Sequence, residues 1–153
     1  MSSPIYQDTY IFNSGAAGQN IFQDDEDYLF YLRRLRSIKE RCNITIICYC
    51  LKPDSLHLLA RQNGKMSVSR FIQALHTGYS MYFNKKYSRT GHLFQGSFQQ
   101  KDIVDTNLVK ILSYIHSLAG GDDYQWSSYP DYLGKRQGTL CNKEIIKGLN
   151  SKQ

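Results

Sequence analysis

Apolar positions change period several times along this chain, and each change marks an element. Ile5 to Asn13 mixes Ile, Tyr, Thr and Phe and predicts a first strand. Ser14 to Gly18 follows as a loop. Asp24, Asp25, Glu26 and Asp27 then crowd the start of a helix, where carboxylates complement the positive end of the helix dipole. Leu29, Leu32, Leu35 and Ile38 give that helix an apolar stripe, with Arg33, Arg34, Arg36 and Lys39 facing outward as a solvated face. Ile44 to Cys50 is apolar on both faces, the pattern of a buried strand. Lys52-Pro53-Asp54 makes a turn, and the strand that returns from it pairs antiparallel with the one before. Alternation on this second strand puts Ser55, His57 and Leu59 on one face and Leu56, Leu58 and Ala60 on the other.

Beyond Arg61 to Lys65, which close the hairpin, the period lengthens. Ser67 caps a helix whose stripe is Val68, Phe71, Ile72, Leu75, Tyr79, Tyr82 and Phe83, all read as core. Tyr87 to Ser97 is a polar loop containing glycine, with a basic lead-in from Lys85 and Lys86, and Phe98 to Val104 is a fourth strand. Asp105 or Thr106 caps a third helix that buries Leu108, Ile111, Leu112 and Ile115. At about 100° per residue, Tyr114 lies on one flank of this stripe with Lys110 one turn back, and His116 lies on the other flank. After Gly120-Gly121 the chain is loop-like through Pro130, and Lys143 to Leu149 is a final amphipathic segment. The order strand, helix, strand, strand, helix, strand predicts an α+β, ferredoxin-like split β-α-β fold. Its sheet is mostly antiparallel, with helices packed on one face and a C-terminal helical extension. The 153 residues are expected to form one domain, a core over 1–121 and an extension over 122–153.

Charge and composition narrow the partner. The net charge is +6 and there are 12 tyrosines, a combination that suits an anionic polymer whose bases stack, though on composition alone tyrosine as core in a basic soluble protein is slightly favoured. Cys42, Cys48, Cys50 and Cys141 have no CxxC spacing, which argues against zinc and for reduced, packed thiols. No charged-then-apolar leader is visible and no apolar run approaches ~18 residues, so a soluble, intracellular protein is expected.

Several motifs together resemble one family. They are Leu51-Lys52-Pro53-Asp54-Ser55-Leu56-His57-Leu58-Leu59, Tyr82-Phe83-Asn84-Lys85-Lys86-Tyr87, Arg89 to Gly96, Tyr114-Ile115-His116, Trp126-Ser127-Ser128-Tyr129 and Tyr132-Leu133-Gly134. In this order and spacing the chain resembles the single-tyrosine transposases of the insertion-sequence-200-like group, above all the repeat-associated tyrosine transposases of bacteria. The resemblance implies metal-assisted DNA strand transfer, in which a helix-borne tyrosine attacks a phosphodiester and becomes linked to the 5′ end. Two histidines one residue apart on a central strand hold the divalent metal, Mg²⁺ or Mn²⁺. Carried onto this chain, the nucleophile falls at Tyr114 and the second histidine at His57. Ser55 stands where the first histidine is expected, and Leu118 where a polar third ligand is expected. A hydroxyl replaces imidazole poorly, and leucine ligates nothing.

The expected partner is therefore single-stranded or hairpin DNA in a bacterial cytoplasm, at the nucleoid, with a homodimer implied by part of the family. Lys85, Lys86, Arg89, His92, Lys101 and Lys110 are the expected DNA contacts. Trp126 and Tyr129 are read as packing on the sheet. Three functions compete: an enzyme cutting through Tyr114, a decayed DNA-binding module without chemistry, and an RNA-binding module, for which no aromatic-glycine strand motif is present.

Overall fold

The computed structural model describes residues 6–150, so the predicted start of the first strand at Ile5 lies outside them. Four strands form one sheet: β1 (Gln7–Ser14), β2 (Ile44–Lys52), β3 (Ser55–Gln62) and β4 (Gln99–Ile103). Their order is β2-β3-β1-β4, and every neighbouring pair is antiparallel. α1 (Asp25–Arg41) crosses from β1 to β2, and α2 (Val68–Lys86) crosses from β3 to β4. This is the split β-α-β arrangement read from the order of periods.

α1 and α2 bury one face of the sheet, where Ile11, Leu56, Leu58 and Ala60 meet Tyr31, Leu35, Leu75 and Tyr79. The opposite face is covered as well, which corrects the expectation of helices on one face alone. There α3 (Asp105–Ser117) and α5 (Glu144–Asn150) pack over Tyr10, Ile47, Cys50 and Leu59. An irregularity between Ile46 and Cys48 lets β2 present Ile46 to the first cluster and both Ile47 and Cys48 to the second. A strand buried on both faces and bulged in this way accounts for the unbroken apolar run.

Three local expectations are corrected. In α1 the buried line runs through Tyr28, Tyr31, Leu35 and Ile38, while Leu29 is 41% exposed and Leu32 only packs at the margin. Tyrosine takes the inner position because its hydroxyl finds a partner, as Tyr31 does at His76 Nε2, 3.0 Å away. Arg34 turns inward rather than outward. Its guanidinium donates to the Ala74 and Leu75 carbonyls across Gly78, where any Cβ would collide with Arg34 Cζ. Neither Asp105 nor Thr106 caps α3. The cap position is Val104, without a side-chain hydrogen bond, and Asp105 is the first helical residue.

The segment predicted as loop after Gly121 seals the outer edge of β2. Leu51 donates to the Trp126 carbonyl, Ser128 donates to that of Tyr49, and Asn142 donates to that of Ile46. The hydroxyls of Tyr124 and Tyr132 close the Leu51 and Ile47 carbonyls, both at 2.5 Å. A short helical turn, α4 (Tyr129–Tyr132), sits within it. Trp126 packs, but its ring stacks on Tyr28 of α1, at 4.6 Å with 5° between the rings, rather than on the sheet.

Candidate nucleic-acid interface

Register assembles the site. In β3, His57 follows Ser55 on the face covered by α3. β1 places Phe12 opposite His57 and Tyr10 opposite Leu59, and β4 places Lys101 opposite Tyr10. Paired residues share a face, so Tyr10, Phe12, His57 and Lys101 form one patch. α3 settles on this face by burying Leu108 and Ile115, which leaves the preceding residue, Tyr114, at the margin and 49% exposed.

Tyr114 meets the patch edge-on: its ring centroid is 6.3 Å from that of Tyr10, at 75°. Tyr10 in turn lies 6.0 Å from His57, and the Tyr10 hydroxyl and His57 Nδ1 share a hydrogen bond of 2.8 Å. Phe12 stacks on the same imidazole at 6.2 Å and 10°. Helix tyrosine and strand histidine therefore lie on the same side of the sheet, joined through a second tyrosine. Burial pulls the His57 pKa down from 6.5 to about 4, opposed by Asp54 and reinforced by Lys52, so the ring is neutral at pH 7. Burial, with the Tyr114 phenol beside it, pushes the Tyr10 hydroxyl well above the ordinary tyrosine value.

The apolar pattern of the sequence does not single out Tyr10. Alternation on β1 groups it with Phe12, but only the pairing of β1 with β3 shows that this pair meets His57.

Ser55 is half-buried at the start of β3, where it pairs with Ser14 and Lys52. Leu118 ends α3 as a half-buried apolar side chain against the second core cluster. Among the described residues no three His, Cys, Asp or Glu side chains are grouped to hold a metal ion. Mg²⁺ is a hard cation that favours oxygen donors in near-octahedral array. One imidazole, with Nδ1 held by Tyr10 and Nε2 left to ligate, and one neutral hydroxyl make a poor donor set for it.

The six basic candidates separate into two groups. Lys101 and Lys110 are exposed on β4 and α3, on the Tyr114 side of the sheet. Lys85, Lys86, Arg89 and His92 belong to the end of α2 and the loop beyond it, on the opposite side. Lys86 there donates to Asp24 at 2.8 Å and Asp27 at 2.9 Å, and Arg89 donates to Asn84 and Gln19. Asp27 is a hub that the sequence pattern does not reveal: fully buried, it also accepts from the hydroxyls of Tyr82 at 2.7 Å and Tyr87 at 2.6 Å. Burial raises its pKa, yet hydrogen bonds from Tyr87, the Gln23 backbone, Lys86 and Tyr82 outweigh that and hold it below the usual carboxylate value. His116, on the far flank of α3, is buried against Ser128 Oγ at 2.7 Å and takes no part in the Tyr114 patch.

Fold and patch together define an α+β protein with a helix-borne tyrosine over a sheet histidine. The family described as "Transposase IS200 like" matches residues 17–118, and this chain belongs to it. Two solved structures share the fold. One is a REP-associated tyrosine transposase bound to a REP hairpin, with 12% identity and TM-score 0.65, covering 93% of this chain and 92% of that one. The other is a protein from Deinococcus radiodurans R1 assigned as a transposase, with 16% identity and TM-score 0.55, covering 76% of this chain and 95% of that one. No curated protein matches the chain significantly. No helix among the described residues is long and apolar enough to cross a membrane.

Proposed function

We propose that this protein binds single-stranded, hairpin-bearing DNA through the face that carries Tyr114, and that metal-assisted cleavage through this tyrosine is absent or strongly reduced. The observation that carries the reading is the patch itself. An exposed phenol stands on α3 against Tyr10, which bonds His57, with Lys101 and Lys110 on the same side. Half-exposed rings offer stacking surfaces to bases, and the two ammonium groups offer contacts to phosphate. Membership in a transposase family and a similar fold in a hairpin-bound transposase support DNA as the partner.

Loss of chemistry follows from the donor set. Ser55 and Leu118 occupy positions where the family resemblance asks for ligands, which leaves His57 as the one strong donor of the set. Tyr114 is then a binding residue at the position of a nucleophile.

Labelled hairpin oligonucleotides with single-stranded flanks test this directly. Binding is expected to weaken steeply between low and physiological salt, and Lys101→Ala is expected to reduce the slope of log K against log salt by about 0.7 to 1. With Mg²⁺ or Mn²⁺ present, no species should survive denaturation. A covalent adduct that disappears in Tyr114→Phe would restore the enzyme reading. Tighter binding to RNA of matched sequence would replace DNA as the partner.

A further inference from the structure

A cavity of about 610 Å³ lies on the other face of the sheet, between α2, the 91–98 loop and the edge formed by β1 and β4. It is not part of the Tyr114 patch. β4 separates the two: Lys101 faces the patch, and its neighbour Gln100 lines the cavity. The volume lies within the ordinary range of ligand sites, about 300–1,000 Å³.

Its lining is chemically selective. No Asp, Glu, Lys or Arg contributes, although the chain carries a net charge of +6. The walls are amides from Asn13, Gln73 and Gln100 and rings from His76, Phe94 and Phe98. At the floor two polar groups have no protein partner among the described residues. Asn13 is 7% exposed, with its Oδ1 taken by the Ser14 N–H and its NH₂ free. His76 is also 7% exposed; its Nε2 is bonded to the Tyr31 hydroxyl, while Nδ1 has no partner. No wholly enclosed side-chain nitrogen or oxygen among the described residues lacks a partner, so both groups reach the open space of the cavity. Burial also keeps the His76 imidazole neutral.

Without Asp, Glu, Lys or Arg, such a lining has no permanent charge with which to hold a phosphate or a cation. It offers flat apolar surface, with Phe98 half-exposed, beside hydrogen-bonding groups of both kinds. We infer that the cavity is a nucleobase site, receiving one unpaired base of the bound strand while the backbone passes the β4 edge. Stacking on an aromatic wall and edge hydrogen bonds to amides are how proteins read an unstacked base. Two positive-φ glycines, Gly91 (88°) and Gly96 (58°), bend the loop that closes the cavity, and a Cβ at either would meet nothing within 4 Å. The dihedral angles of the turn there favour glycine, most strongly at Gly91. The glycines of the Arg89–Gly96 motif thus gain a structural purpose. The inference rests on DNA as the partner, and its test separates the two.

Ser80 lines the cavity from α2, and its hydroxyl makes no hydrogen bond to another described residue, so Ser80→Phe fills the space without removing a native bond. Hairpin oligonucleotides carrying a single abasic position, moved along the unpaired flank, are bound to wild type and to Ser80→Phe. One position is expected to lose about tenfold in affinity with wild type, the scale of one base–aromatic stack, and to lose nothing further in the variant. Free adenosine, guanosine, cytidine and thymidine are titrated in parallel, following the amide resonances of Gln73, Thr77 and Ser80. Saturable shifts with at least one nucleoside in wild type, absent in Ser80→Phe, are expected. DNA binding indifferent to every abasic position, or an abasic penalty unchanged in Ser80→Phe, overturns the base site and leaves DNA binding standing. Nucleoside shifts without any DNA binding would keep the site for free nucleosides and reject the strand as its source. Absence of both rejects the site.

Discussion

Tyr10 illustrates how one side chain links the pieces of this interface. It belongs to the core by burial, to β3 through His57 Nδ1 and to α3 through the ring of Tyr114. On the proposed reading, chemistry would require new ligands rather than new shape, because Tyr114 and His57 already share a side of the sheet. Ser55→His with Leu118→Asn is therefore expected to create Mn²⁺ affinity measurable by calorimetry and a denaturation-resistant adduct with hairpin DNA, and neither change alone should do so. Titration of the histidines gives a second residue-scale outcome. Burial lowers the pKa of His57 and His116 to about 4 and of His76 to about 3, from 6.5. The unfolded chain takes up protons near pH 6.5 that the folded chain refuses until pH 4 or below. Stability is thus full above pH 6.5 and falls as pH drops towards 4. The loss should reach a few kcal/mol, because each tenfold weakening of proton affinity on folding is worth about 1.4 kcal/mol. Urea unfolding at pH 7 and pH 4.5 checks this, and equal midpoints would contradict it. Asp27 acts in a lower window, since its folded pKa lies below 3.8. Asp27→Asn removes the charge opposite Lys86 and turns one of the two acceptor oxygens into a donor. Part of the set formed by Lys86, two phenols and the Gln23 N–H then loses its acceptor, and a loss of about 3 kcal/mol in urea unfolding at pH 7 is expected.

Among the elements, those written by strong local periods are legible in the sequence. The hairpin of β2 and β3 follows from two apolar runs around Lys52-Pro53-Asp54, and α2 follows from a stripe sustained to Phe83. The inner line of α1 is not legible in this way. Leucine outranks tyrosine in any hydrophobicity pattern, whereas partners elsewhere in the chain (His76 for Tyr31, Trp126 for Tyr28) decide which residue is buried. The inward turn of Arg34 depends on Gly78, in a different helix, a fact of tertiary contact alone. The site is half legible for the same reason. Motif and helix flank single out His57 and Tyr114, which the structure brings to one side of the sheet, while Tyr10 needs the β1–β3 register. Basic character groups Lys85, Lys86, Arg89 and His92 with Tyr114, and the sheet puts them on its other side.

For the whole molecule, a surplus of positive charge and two differently lined faces are joined by a thin polar margin. β4 reads Gln-Gln-Lys-Asp-Ile and is exposed at its first four positions, which keeps that margin from zipping onto another sheet. The far margin is defended differently. β2 is largely apolar and owes its protection to the run from Tyr124 to Asn142, whose backbone and phenols occupy its outward-facing groups. Stop codons placed after Gly121 would strip that selvedge from the most oily ribbon in the protein. Copies so shortened should find one another by that bare hem, and sedimentation velocity should show them as large, heterogeneous species where the full chain runs as a small, discrete one.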